Sequence, residues 1–234
     1  AARTIIIFQA ALEWGVRRGY LAANPGKGVT RFKVEKRERY LSGEELERLW
    51  RTLKDQCAAG AISESHATIF RLLALTGARK SEIAELRWRE VDFDRGLIFL
   101  PGERSKTGAK TIPLGAAAVD LLRSRREEAF KARAFGPDDY VFPALRLGKG
   151  ATVGLQKSWE RLRREAGLEG VRIHDLRHTF ASIAVADGAS LFIIGKVLGH
   201  TQARTTERYA HLSASPARNV ADRVADQLGD WSPE

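Results

Sequence analysis

Apolar residues recur at three- and four-residue intervals along most of the chain, a period that marks out helices. Ile5, Phe8, Leu12 and Val16 fall on one face of a helix over residues 3–20, which Leu21 to Pro25 ends. The chain opens without Met and reads as starting in mid-helix, which predicts a fragment of a longer protein. From Gly26 to Tyr40 the sequence GKGVTRFKVEKRERY is basic and lacks the helical period. It suits an extended linker against a phosphate backbone and, equally, a solvated tether.

Ser42-Gly-Glu-Glu45 has the capping-box form, followed by a stripe of Leu46, Leu49, Trp50 and Leu53. A second helix runs from about His66 to Thr76 and stops at Gly77, and a short one starts at Ser81. Residues 97–114, LIFLPGERSKTGAKTIPL, predict two or three short strands turning at Pro101-Gly102 and Thr107-Gly108. Helices follow over about 115–132, 153–166, 174–187, 190–198 and 202–208, separated by Gly and Pro signals. The fold class is therefore α+β, mainly α-helical with a small antiparallel β-sheet. A last stripe, Ala217, Val220, Val224 and Leu228, predicts a tail helix that needs a groove on its own domain or on a neighbouring subunit.

Composition narrows the partners. Lys and Arg number 39 against 29 Asp and Glu, a net charge of +10 that favours a polyanion, although a basic enzyme of ordinary kind shares it. The single Cys57 excludes an internal disulfide framework and a cysteine-based zinc site, which leaves a cytoplasmic setting as the simplest reading. The opening AARTIIIFQA shows no signal-peptide cleavage pattern, and no apolar run approaches the roughly 20 residues of a membrane span, so no membrane partner is expected.

The chemistry concentrates late in the chain. HDLRHTF places His174, Arg177 and His178 on one helix face, three groups that repel one another unless an anion lies between them. Asp175 points elsewhere. Core histidines satisfied by hydrogen bonds are the plain alternative. LTGARKSEIAEL adds Arg79 between a helix stop and a helix start, where the guanidinium and backbone N–H groups can meet one anion. SKTGAK puts Lys106 at a hairpin tip, with Lys110 as a competing lysine. LGHTQARTTERYAHL adds His200 and Tyr209, and none of these segments shows an acidic cluster.

The combination resembles the tyrosine recombinase (phage integrase) family over about residues 40–213. The family pattern of Arg in T-G-x-R, Lys in a β-hairpin, H-x-x-R, L-G-H and then Tyr is met in order by Arg79, Lys106, His174, Arg177, His200 and Tyr209. One such motif arises by chance; six in order do not. The resemblance implies the family's catalytic-domain fold over residues 41–213. It also implies the end of a core-binding domain over residues 1–25, a basic linker over 26–40 and a C-terminal tail over 214–234. It implies strand cleavage through a 3′-phosphotyrosine on Tyr209, with Arg79, Arg177 and His200 on the phosphate, His174 as general base and Lys106 as general acid. Tyr20, Tyr40 and Tyr140 lack the upstream histidine motif, while His178 and His211 read as structural and His66 as helix surface or core.

No cofactor or metal is expected. A two-cation nuclease needs converging carboxylates, and Asp92, Asp94, Asp138 and Asp139 read as turn residues. The implied partner is double-stranded DNA, bound as a homotetramer on paired sites, with a monomer expected for a free fragment. The implied function is integration or excision of a mobile element. A chromosome dimer-resolving recombinase of the same family and an inactive DNA-binding regulator are the alternatives.

Overall fold

The Ser42 hydroxyl accepts from the Glu45 amide at 3.2 Å and the Glu45 carboxylate accepts from the Ser42 amide at 3.0 Å. This reciprocal cap starts α2 (Gly43–Ala58) where the sequence predicts it, with Leu49 and Leu53 buried and Leu46 and Trp50 packed alongside. The computed structural model describes residues 2–29, 39–105, 108–132, 135–144, 150–212 and 224–225, and the chain divides into two compact units, Ala1–Glu38 and Arg39–Glu234. The basic linker's central residues, Lys106, and the tail stripe apart from Val224 lie outside the described residues.

In the first unit, α1 (Ala2–Arg17) is closed by the return of the chain through Asn24 and Gly26. The Gln9 side chain donates to the Gly26 carbonyl at 2.9 Å, and the Asn24 side-chain oxygen accepts from the Gly26 amide at 2.9 Å. So short a segment covers only part of the apolar stripe. Ile5, Leu12 and Val16 are half-buried, but Phe8, expected on the same stripe, is 61% exposed.

The second unit is built around α3 (Glu64–Thr76), which packs against both α5 (Ala116–Ala132) and α7 (Asp175–Ala186), while α2 packs on α6 (Leu155–Glu165). Ser63 caps α3, and Gly77 ends it in the left-handed region at φ 61°. Phe70 of α3 meets Trp159 of α6 edge-on with ring centroids 5.2 Å apart, and the Trp159 indole donates to the Val171 carbonyl at 3.0 Å. Both large rings are therefore buried with no polar atom left over.

Three antiparallel strands form the sheet: β1 (Val91–Asp92), β2 (Leu97–Leu100) and β3 (Lys110–Pro113), in that order. Ile98 pairs with Ile112 and Leu100 with Lys110, so the alternation puts Ile98, Leu100 and Ile112 in the core and Phe99 in solvent. The expected stretch holds two strands, and the third lies upstream at 91–92, too short to carry an alternation of its own. Pro101-Gly102 does not reverse the chain between strands. Gly102–Arg104 form a 3-10 turn within one long connection from β2 to β3.

Further helices among the described residues are α4 (Lys80–Ala84), α8 (Leu191–Leu198) and α9 (Arg204–Glu207). A second, smaller apolar cluster joins α7 and α8 through Ala181, Val185, Ile194 and Leu198, and the ring of Tyr209 completes it. No helix among the described residues is long and apolar enough to cross a membrane.

Candidate active site

Arg177 organises the site. Its guanidinium is buried and donates to the Gly77 carbonyl at 2.7 Å and to the Leu198 carbonyl at 2.7 Å. Both acceptors are among the last carbonyls of helices ended by glycines in the left-handed region, groups with no partner inside their own helix. The arginine thus joins the ends of α3 and α8 to the start of α7. Burial, then the charge of Arg79, push its pKa down to about 10, so it stays a cation at neutral pH.

Arg79 follows Gly77 by two residues and donates to the Glu82 carboxylate at 2.8 Å and to the Gly199 carbonyl at 3.3 Å. Glu82 is the acid that sequence reading missed. Its carboxylate also accepts from the Arg79 amide at 2.8 Å and from the Lys110 ammonium at 3.0 Å. The Arg79 backbone N–H, expected to face an anion, is therefore already used. Burial alone would raise the Glu82 pKa, but the Arg79 amide and the Lys110 and Arg79 cations outweigh it and hold the carboxyl below its ordinary value. The signal was present as a glutamate three residues after the arginine, at the start of a helix.

Lys110 is buried under Gly199, where a Cβ would lie 3.0 Å from the lysine Cδ. Burial first, and then Arg177 and Arg79, lower its pKa, while Glu82 opposes them. Its ammonium is thus committed to Glu82.

His174 stands just before α7, and α7 carries Arg177 and His178 on the same side, as helix geometry predicts. Asp175 turns away into the protein, accepting from the Arg172 amide at 2.8 Å and pairing with its guanidinium at 2.7 Å. The His178 Nδ1 lies 2.5 Å from the Tyr209 hydroxyl, and the ring of His174 meets that of His178 edge-on at 4.9 Å. His178, read from the sequence as structural, therefore lines the same cleft as Tyr209.

His200 follows Gly199, and its Nδ1 lies 2.8 Å from the Thr206 hydroxyl. Gly195 lets α9 come this close, since a Cβ there would sit 2.9 Å from the Thr206 Oγ1. Burial first, then Arg177 and Arg79, bring the His200 pKa down to about 4. For His178 burial first, then His174, bring it to about 4 as well. Both rings are neutral at pH 7. The His174 pKa is lowered by burial and by Arg177.

Arg79, His174, Arg177, His178, His200, Thr205, Arg208 and Tyr209 line one cleft of about 230 Å³. Five of the six residues of the sequence pattern meet there; the sixth, Lys106, lies outside the described residues. Arg208 is a further cation that sequence reading passed over, its Nε buried without a partner. Tyr40 and Tyr140 do not line the cleft, and His66 ties α3 to α6 through Ser158 at 2.7 Å. Asp92 accepts from the amides of Asp94 at 3.1 Å and Arg95 at 2.9 Å, as a turn residue does.

Three guanidiniums, neutral imidazoles and a phenol around one opening suit a phosphodiester in chemical terms. Several known proteins are similar to this chain in sequence. Tyrosine recombinase XerC of Xanthomonas axonopodis pv. citri (strain 306) is 28% identical over 211 residues, covering 89% of this chain and 66% of that protein. XerC of Proteus mirabilis is 31% identical over 220 residues, covering 90% and 67%. The chain thus spans about two thirds of the length of these curated relatives.

Among solved structures, the Tn1549 transposon integrase in complex with a circular intermediate DNA superposes with TM-score 0.67 at 18% identity, covering 93% of this chain and 76% of that one. The catalytic domain of bacteriophage HP1 integrase gives TM-score 0.57 at 22% identity, covering 80% and 95%. Residues 39–215 match the phage integrase family model, and the chain accordingly belongs to that family, the tyrosine recombinases.

Proposed function

We propose that this chain carries the strand-exchange chemistry of a site-specific DNA recombinase, cutting and rejoining duplex DNA through a 3′-phosphotyrosine on Tyr209. The observation that carries the reading is the convergence of Arg79, His174, Arg177, His200 and Tyr209 on one cleft. Tyr209 Oη attacks the scissile phosphorus, the bond to the 5′ oxygen breaks, and a 3′-phosphotyrosine and a free 5′ hydroxyl result. The phenol's proton passes to the base and the leaving oxygen takes one from the acid, so the step neither consumes nor releases a redox equivalent. The phosphoester is retained for religation.

Each role follows from side-chain chemistry. Arg79 and Arg177 present forked, permanently charged donors to the nonbridging oxygens, whose charge grows in the transition state. His200, neutral and held by Thr206, adds an N–H. His174 takes the base role that the H-x-x-R motif assigns it, and Lys106 the acid role of the hairpin lysine. Lys110, committed to Glu82, is the weaker candidate for that acid.

The partner is double-stranded DNA gripped chiefly through phosphates, in keeping with a net charge of +10 and with a family neighbour solved on DNA. The arrangement proposed on DNA is a homotetramer across two sites, in the cytoplasm, with residues 1–25 as the end of a core-binding domain, 26–40 as the linker and 214–234 as the tail. Integration or excision of a mobile element is the role proposed. Dimer resolution uses the same residues, and the target sequence separates the two. Incubation with a pool of randomised nicked duplexes tests the reading: covalent protein–DNA adducts that disappear in Tyr209→Phe support it, and adducts that persist overturn it.

A further inference from the structure

The segment that carries Tyr209 is lightly built. From Gly199 to Leu212 it consists of the four-residue α9 and a 3-10 turn at Ala210–Leu212, with Tyr209 between them. What ties it down is side-chain contact. The Tyr209 ring fills the small cluster between α7 and α8 and is only 5% exposed, and its hydroxyl meets the Nδ1 of His178 at 2.5 Å. His178 directly follows Arg177, whose guanidinium is itself fixed by two carbonyls.

We infer that His178 is a positioning residue for the nucleophile: as the neutral Nε2–H tautomer it accepts the Tyr209 hydroxyl proton in a hydrogen bond and holds the phenol oxygen in register with Arg177. The inference rests on the recombinase reading of the cleft. The direction of the bond follows from what the oxygen must do. A phenol that donates keeps its lone pairs for phosphorus, whereas one that accepts from an imidazole N–H gives one up. The surroundings favour the neutral ring: burial acts with His174 on the same face and with Arg208 and Arg172, while Asp175 alone opposes them. The backbone from Arg177 to His178 then sets the distance between clamp and nucleophile. His178 orders the resting phenol and does not take its proton: for attack the hydroxyl turns its single proton from His178 to the base of the proposed mechanism.

The hydrogen bond can be tested with and without DNA. In the DNA-free chain labelled with nitrogen-15 histidine, the nitrogen shifts of His178, assigned by their loss in His178→Asn, should show a protonated Nε2 and a bare Nδ1. A protonated Nδ1 overturns the inference whether or not the chain recombines DNA. With the randomised nicked pool, single-turnover cleavage should slow roughly 100-fold in His178→Phe at unchanged DNA affinity. Asparagine can offer its side-chain oxygen near the Nδ1 position, and His178→Asn should stay within about tenfold of the unsubstituted chain. Equal losses in the two variants, or full activity in His178→Phe, overturn the inference, with thermal melts identifying a variant that fails to fold. If the unsubstituted chain forms no Tyr209 adduct, the recombinase reading fails, and the tautomer alone decides whether His178 holds the phenol.

Discussion

Arg177 donates to the carbonyl of Gly77 across 2.7 Å, so the arginine of H-x-x-R and the glycine of T-G-x-R form one joint although 100 residues separate them. Two motifs distant in sequence are thereby parts of a single bracket. Arg79 extends it to Gly199, the glycine before His200. The glycines serve the geometry, and the arginines serve both the geometry and the charge.

Gly77→Ala should break the bracket. The position has φ 61°, and a Cβ would lie 2.7 Å from both Leu198 Cδ2 and Phe180 Cδ1. We expect a loss of about 2 kcal/mol in urea unfolding, with strand cleavage falling alongside it.

Arg177→Lys keeps a positive charge but cannot reach both carbonyls and a phosphate with one compact ammonium. Cleavage should fall by about 10²-fold or more. DNA affinity, measured by fluorescence anisotropy, should change far less, because many other cations share the phosphate contacts.

Acid should loosen the site through Glu82. Its folded pKa is lowered, so the stability it contributes is present above the unfolded value of 4.5 and is lost as pH falls through the folded value. In urea unfolding at stepped pH, Glu82→Gln should be less stable at neutral pH and should lose less stability on acidification. Equal acid sensitivity of the two proteins would contradict this.

Much of the fold was legible in the sequence because its signals are local. The Ser42 capping box, the Gly77 and Gly199 stops and the Leu49 and Leu53 stripe each act within a few residues, and each lies where expected. What escaped were pairings across distance. Glu82 looks like an ordinary helix-start acid until β3 brings Lys110 against it, and His178 looks like a spare histidine until α9 brings Tyr209 back. Strand β1 has two residues, too few for a period, and exists because β2 supplies its partner.

DNA affinity should depend steeply on salt. Between about 50 and 200 mM salt we expect a loss of about 10³-fold, and Arg79→Ala should reduce the slope of log affinity against log salt by about one. A flat dependence would mean that the charge of +10 serves something other than phosphate.

The most direct measurement is to trap the chain on the nicked pool in excess chelator, digest the complex and locate the nucleotide-bearing peptide by mass spectrometry. The account predicts the adduct on Tyr209, formed without added metal and absent in Tyr209→Phe. An adduct on another residue, or cleavage that requires a divalent cation, would contradict it.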